Sequence, residues 1–249
     1  MIHLQSLAFG PFAEVEPLNP RFIAGHPKLR VTVDTETNPQ VPERQVLDEL
    51  QRAFPGIARH GCEMQRGTAR NEAAGTGIVL LDGEPTANQA HLLEHLMLEC
   101  LSILDHASRL SGVTCASTAV APAGRQAGGV ALALAIDALN AALSEKPLGA
   151  LYPDALLAAS HLLAAPDSQP FAPGQLARRV GTAAERVSAA LDLLYRVGLV
   201  QVEDYAMNFS GEPHYRFLGD RAWKATQCLA AAMDCRASLT RATESRDSA

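Results

Sequence analysis

The sequence predicts an α+β fold, in which a small mixed α/β sandwich domain is followed by a winged helix-turn-helix domain. Up to residue 143, segments with alternating apolar residues interleave with segments of helical periodicity. A stretch at 145–154 then carries Pro and Gly, and beyond it the pattern changes to short helices followed by two strands. The predicted domains are therefore 1–146 and 147–237, with a polar, disordered tail at 238–249.

The elements of the first domain follow from periodicity and breaker residues. Residues 1–28 contain Pro and Gly and little periodicity, which predicts an irregular arm with one short strand. Alternation and runs of β-branched residues predict strands at 29–35, 60–65, 77–81 and 113–121. Apolar residues at spacings of three and four predict helices at 42–54, 88–110 and 130–143.

The second domain begins after the predicted linker at 145–154. Helical spacing predicts helices at 155–165, 171–181 and 185–197, and the last of these opens on a capping box from Thr182 to Glu185. Strands are predicted at 200–203 and 215–218, around a turn at 210–213. Helix, turn, helix and a two-stranded wing is the order of a winged helix. A final helix at 223–233 is a candidate for homodimerisation.

Composition excludes several classes of protein. Of the 249 residues, 47% are hydrophobic, 5% aromatic and 19% charged, and the net charge is −6. An acidic chain lacks the basic field that general binding to nucleic acids or anionic membranes needs. No uncharged apolar run reaches the roughly 18 residues that a membrane-spanning helix requires. The start of the chain does not resemble a signal peptide.

The five cysteines indicate a reduced compartment. Their number is odd and they form no C-x-x-C pair. We therefore expect a cytoplasmic protein without structural disulfides. Cys62 follows His60 closely, but residues so near in sequence rarely have the geometry of a catalytic pair, and a buried structural thiol is the favoured interpretation.

The most informative feature is the run His91-Leu92-Leu93-Glu94-His95, which reads H-x-x-E-H. This is the inverted zinc-hydrolase motif, and it lies in a segment that contains neither Pro nor Gly from residue 88 to 110. Two imidazoles four residues apart on a helix lie one turn above each other, so both can bind one metal ion. Glu94 would be the general base that activates the metal-bound water.

A third ligand is needed for such a site. Glu99 is the first candidate, because it lies one turn beyond His95, and Asp137 on a later helix is the alternative. The motif residues could instead form the solvated polar face of an amphipathic helix, since an apolar face of Leu, Met and Cys lies opposite. The metal site requires the polar stripe to face a cleft.

The winged helix could bind DNA through its arginines. Arg178, Arg179 and Arg186 lie on the two helices that would form the helix-turn-helix. From residue 154 to 220, however, five basic residues stand against eight acidic ones, for a net charge of −3. Phosphate neutralisation would be poor, so packing or protein contact is the favoured role and nucleic-acid binding the less favoured one.

A family resemblance accompanies the motif. The stretch ending His91-Leu-Leu-Glu-His-Leu-Met-Leu-Glu99 resembles the N-terminal domain of cyanophycin synthetases, whose helix reads H-h-h-E-H-h-h-h-E with h apolar. The strand at 29–34, the helix end at 55–57 with His60-Gly61-Cys62, and the helix at 129–143 follow in the same order. The resemblance covers about residues 20–145.

The resemblance implies an α+β domain that is similar to metallopeptidases and, in some members, cleaves the polymer β-Asp-Arg. The matching positions are His91, Glu94, His95 and Glu99. The ATP-dependent ligase domains of the synthetases would not fit in a chain of this length, so polymer synthesis is not expected. The segment at 80–86 lacks the arginines of the synthetases, and the connection at 112–129 is shorter.

These observations predict a cytoplasmic, zinc-dependent hydrolase of amide bonds that acts on a peptide or polyamide substrate, with an appended winged helix. His91, His95 and Glu99 would bind the metal ion and Glu94 would deprotonate the water. One alternative is a non-catalytic module that binds a polyamide or a protein. The other is a winged-helix transcription regulator whose first domain senses a ligand, with DNA contacts from Arg178, Arg179 and Arg186.

Overall fold

We analysed a computed structural model of the chain. The structure describes residues 1–19, 21–35, 41–60, 65–66, 69–70, 78, 80, 85–104, 112–164, 170–203 and 213–219. Helices and antiparallel sheets together make up this part of the chain, so the α+β prediction is confirmed.

A four-stranded antiparallel sheet forms the base of the first half. Its strands are β1 (Ile2–Gly10), β2 (Lys28–Thr35), β5 (Val113–Cys115) and β6 (Thr118–Pro122), in the order β1-β2-β6-β5. Alternation in β2 sorts its residues to two faces: Leu29, Val31 and Val33 are buried against the helices, while Arg30 and Thr32 lie on the outer face. Two short strands, β3 (Gln65–Arg66) and β4 (Ala69–Arg70), pair separately.

Strand β1 takes nine residues of the arm that was predicted at 1–28, so the one short strand expected there is longer than predicted. Its pairing with β2 shifts register between Leu4 and Ser6, so the alternation of apolar residues is broken midway. A search for apolar residues at every second position therefore underestimates the length of this strand. The predicted single strand at 113–121 is likewise two strands, because the chain reverses at Ala116, which has a positive φ of 49°. No Gly or Pro marks that turn.

Three helices follow in this half, of which two pack directly on the inner face of the sheet. They are α1 (Glu43–Ala53), α2 (Pro85–Leu104) and α3 (Arg125–Leu143), and two 3-10 helices lie at Ala13–Leu18 and Pro55–Arg59. Helices α2 and α3 pack on each other and on the strands, and α1 packs against both. Among the described residues, α3 alone is long and apolar enough to cross a membrane, but 67% of its most apolar window is buried inside the protein. A mostly buried helix in the core of a protein has the same length and apolar composition as a membrane-spanning helix.

The predicted linker at 145–154 is partly helical. Helix α4 (Leu151–Leu163) starts inside it, and Pro153 is accommodated because it lies in the first helical turn. Helix α4 packs on α2 and α3, so the buried apolar residues on the two sides of the predicted domain boundary at 146/147 form one continuous cluster.

The remaining elements follow the predicted order. They are α5 (Pro173–Val180), α6 (Ala184–Arg196), β7 (Val200–Glu203) and β8 (His214–Phe217), with β7 and β8 paired antiparallel. Gly181 joins α5 to α6 with a φ of 71°, a left-handed conformation that glycine adopts without strain. The winged-helix assignment stays a prediction.

Several predicted features lie outside the described residues. They are most of the strands at 60–65 and 77–81, the end of the motif helix at 105–110, the turn at 210–212, the helix at 223–233 and the tail at 238–249.

Candidate metal centre

Helix α2 carries Glu94 and His95 of the H-x-x-E-H motif into the interior, while His91 is half-buried. Glu94 and His95 are only 6% and 4% exposed, although they are polar. The strands β5 and β6, helix α3 and helix α4 all pack on α2, so the helix is enclosed on several sides. The interpretation of these residues as a solvated polar face is therefore wrong for Glu94 and His95.

His91 and His95 face each other one helical turn apart. Their Nε2 atoms are 3.0 Å apart, and their ring planes are inclined by 53°. The 3.6-residue repeat of the helix places the two rings on one stripe, as the sequence spacing predicts. Two nitrogen atoms at this separation either form a hydrogen bond with each other or bind the same cation.

A third histidine, His60, extends this pair. It follows the 3-10 helix Pro55–Arg59, and its Nδ1 lies 3.2 Å from Nδ1 of His95. On the other side of its ring, Nε2 lies 3.0 Å from Oε2 of Glu99. The side chains thus form one row in the order Glu99, His60, His95 and His91.

Close packing fixes Glu99 at the end of this row. The backbone of Gly56 lies directly against the Glu99 carboxylate, so that a Cβ atom on residue 56 would overlap both carboxylate oxygens. Gly56 belongs to the same 3-10 helix that leads to His60. One short segment therefore supplies both the histidine and the surface against which its carboxylate partner packs.

Glu94 lies against the sheet edge. The hydroxyl of Thr114 in β5 donates a hydrogen bond to its Oε2, and a Cβ atom on Gly112 would overlap its Oε1. Burial raises the pKa of Glu94 from 4.5 to about 7, although the Thr114 hydrogen bond and the nearby His60 oppose the rise. A carboxyl group with this pKa exchanges protons near neutral pH, as a general base must.

The environment of His95 favours the neutral imidazole. Burial, followed by the proximity of His91 and then of His60, lowers the pKa of His95 from 6.5 to about 3. A neutral imidazole retains one lone pair on a ring nitrogen, which is the form that binds metal ions.

The histidine pair fits two positions of a zinc site. Zinc–nitrogen bonds of about 2.0–2.1 Å in a tetrahedron place two ligand atoms about 3.3 Å apart. The Nε2 atoms of His91 and His95, at 3.0 Å, come within a few tenths of an ångström of that value. Within the described part of the chain, no three His, Cys, Asp or Glu side chains gather around one point. The contact of Glu99 is with His60, and its role as the third ligand stays a prediction.

Asp137, the alternative third ligand, is engaged elsewhere. Its Oδ2 accepts hydrogen bonds from the hydroxyl of Tyr152 in α4, at 2.6 Å, and from Nη2 of Arg196 in α6, at 2.8 Å. This carboxylate therefore joins α3 to the helices that follow it. The alternative ligand assignment has no support in this arrangement.

The three arginines proposed for DNA binding lie in different surroundings. Arg186 forms two hydrogen bonds, at 2.8 and 2.6 Å, with the carboxylate of Asp154 in α4. Arg179 lies over the ring of Phe171 at 5.1 Å, and Arg178 is exposed. The charge of Arg186 is thus already matched by a carboxylate. DNA binding stays a prediction.

A groove of about 390 Å³ lies on the outer face of the sheet, away from the histidines. Thr32 and Thr118, whose hydroxyls are 3.1 Å apart, and Arg30 line part of it. Arg30 pairs with Glu14 at 2.8 Å and lies over the ring of Phe12. Among the described residues that line the groove, the one charged side chain is therefore already paired.

Sequence reasoning did not include His60 in the site. It lies 35 residues before His95, and no helical spacing relates the two. The sequence singled it out only beside Cys62 and in the family resemblance, and neither linked it to the motif helix. Its contacts depend on how that segment folds back against α2.

Comparison with known proteins adds no assignment. No protein-family model matches the chain, and neither the curated proteins nor the solved structures contain a match to it. The resemblance to cyanophycin synthetases accordingly stays a prediction.

Proposed function

We propose that this protein is a zinc-dependent hydrolase of amide bonds that acts on a peptide or polyamide. The observation that supports the proposal is the pair of facing Nε2 atoms of His91 and His95, 3.0 Å apart, on the helix that also carries the buried carboxylate of Glu94. His91 and His95 would hold the ion, with Glu99 as the predicted third ligand. A bound zinc ion supplies Lewis acidity, which polarises the scissile carbonyl and acidifies water.

Glu94 would perform the proton transfers. Its carboxylate accepts a proton from the attacking water, and the protonated form returns that proton to the departing amine nitrogen. A pKa near 7 suits both steps, because the two protonation states are then close in free energy at neutral pH. The donation from Thr114 holds the carboxylate in one orientation during both transfers.

The enclosed environment supports hydrolysis over simple binding. Glu94 and His95 are both nearly buried, and charged groups act more strongly where water is excluded. Among the described residues, Glu94 forms no ion pair with Lys or Arg, and a purely structural role would not require a carboxyl group to be buried at such a cost in free energy.

The first test is the metal content of protein purified without a histidine tag. We expect about one zinc ion per chain, lost in His91→Gln and His95→Gln and retained in His161→Gln, because His161 lies on α4. A parent protein without metal, even after zinc is added back, would overturn the proposal. Attention would then pass to polyamide or protein binding, or to ligand-dependent regulation.

The second test separates binding from chemistry. Glu94→Gln should keep the zinc and lose about 10²–10⁴-fold in hydrolysis of a β-Asp-Arg polymer or another polyamide, because the proton acceptor is removed. Hydrolysis at the parental rate in Glu94→Gln would show that another group is the base.

A further inference from the structure

We propose that His60 and Glu99 are positioning residues, which together hold His95 in the tautomer that has its proton on Nδ1 and its lone pair on Nε2. The catalytic consequence of this inference rests on the proposed function. The tautomer itself does not, because the row of side chains sets it with or without a metal ion.

The first step starts at Glu99. An ionised carboxylate only accepts hydrogen bonds, so the 3.0 Å contact between its Oε2 and Nε2 of His60 requires a proton on that nitrogen. At about pH 8 an imidazole is ordinarily neutral and then carries one proton. Nδ1 of His60 is then bare and can only accept.

The second step passes this constraint to His95. Its Nδ1 lies 3.2 Å from the bare Nδ1 of His60, so His95 must donate there. Nε2 of His95 is then bare, and its lone pair faces His91. Without a metal ion, His91 would donate its own Nε2 proton into this lone pair.

Close packing around Glu99 and His60 restricts these two side chains to the observed hydrogen bond. The Glu99 and His60 side chains are 13% and 20% exposed, and Gly56 lies against the carboxylate. The carboxylate therefore has little room to leave His60. Orientation of a ligand histidine by a carboxylate is common around metal ions, and here a second imidazole stands between the two.

The inference gives Glu99 a role that its observed contact already fulfils. Glu99 acts on His95 through His60. This role explains why the carboxylate, which lies one helical turn beyond His95, contacts the ring of His60 and not that of His95. This positioning role replaces the role of third ligand that the sequence predicts for Glu99, so the third ligand would come from another group.

The direct test is the tautomeric state of His95, read from ring nitrogen shifts by NMR in metal-free protein at about pH 8, where imidazoles are ordinarily neutral. We expect the proton on Nδ1 in the parent. A proton on Nε2 of His95 in the parent would overturn the inference.

Two variants break the row, and a third at the same position as one of them keeps its hydrogen-bonding groups. His60→Phe removes both ring nitrogens, and Glu99→Gln adds a donor that can reverse the direction of the hydrogen bonds. Both should raise the population of His95 that is protonated on Nε2. His60→Gln retains an acceptor and a donor, so it should preserve the parental tautomer better than His60→Phe does.

A matched pair of glycine substitutions provides the control. Gly56→Ala displaces Glu99 without removing a polar group, and Gly112→Ala displaces Glu94 in the same way. Only the first should change the His95 tautomer. Equal effects, or none in Gly56→Ala and His60→Phe when both remain folded, would contradict the role of the row.

Zinc affinity, measured by competition with a chelator, gives the second readout. We expect His60→Phe and Glu99→Gln to bind zinc about 10–100-fold more weakly than the parent, while His161→Gln is unchanged. If no variant or parent binds zinc but the tautomers behave as described, the proposed function fails and the positioning role stands. If zinc binds equally in all of them and the tautomer is unchanged, the positioning role fails.

Discussion

The hydroxyl of Thr114, in the outermost strand of the sheet, donates a hydrogen bond to the buried carboxylate of Glu94 in α2. Strand β5 has only three residues, and in the described part of the chain it pairs with β6 alone. The side chain that stabilises the candidate general base therefore depends on a short edge strand. This dependence leads to the first prediction.

Thr114→Val should raise the pKa of Glu94 above about 7, because it removes the hydrogen bond that opposes the effect of burial. A carboxyl group whose pKa is raised by folding contributes stability below about pH 4.5, and loses that contribution as the pH rises through 7. Metal-free Thr114→Val should therefore lose more stability at about pH 8 than at about pH 5, by about 1–2 kcal/mol.

Urea unfolding at the two pH values measures this difference. Thr118→Val is the matched control, because the Thr118 hydroxyl contacts Thr32 on the outer face of the sheet. A pH-independent loss of stability in Thr114→Val, equal to that of Thr118→Val, would contradict the assignment.

Lys28→Met should destabilise the fold by about 3 kcal/mol. The Lys28 ammonium is fully buried and donates to the carbonyls of Pro11 and His26, at 2.9 and 3.0 Å, and to the Glu16 carboxylate at 3.0 Å. Its removal leaves these acceptors without their shared donor. Chemical denaturation gives the value, and the exposed Lys146→Met should change it little. A small effect in both variants would show that water replaces the ammonium.

Asp137→Ala should retain the parental zinc content and lose about 2 kcal/mol of stability. The carboxylate accepts hydrogen bonds from Tyr152 and Arg196, and its loss leaves the largely buried Tyr152 hydroxyl without this acceptor. Tyr152→Phe should recover part of the loss when combined with Asp137→Ala. Metal analysis and urea unfolding are made on the same samples. Loss of zinc from folded Asp137→Ala would restore Asp137 as a ligand.

Arg186→Gln should leave any DNA binding unchanged. Asp154 already accepts two hydrogen bonds from the Arg186 guanidinium. The positive charge of Arg186 is therefore largely neutralised and would contribute little to phosphate binding. Fluorescence anisotropy with duplex DNA across salt concentrations measures the effect, with Arg178→Gln as the comparison. A flatter salt dependence in Arg186→Gln than in the parent would show that Arg186 leaves Asp154 to contact the backbone.

The sequence by itself determined the features that depend on local periodicity. Apolar residues at helical spacing located α1, α2, α3 and α6, and the alternation in β2 located its buried face. The spacing of four between His91 and His95 likewise required them to share one stripe of α2. Each of these conclusions involves only residues within a few turns of one another.

Only the tertiary structure decided which distant groups meet. The bulge in β1 and the turn at Ala116 are set by pairing with neighbouring strands, so the local pattern missed them. The placement of His60 between Glu99 and His95 arises because Pro55–Arg59 packs against α2, and the burial of Glu94 arises because β5 covers it. Contacts between residues far apart in the chain depend on how its elements pack, and the periodicity of a single element carries no information about that packing.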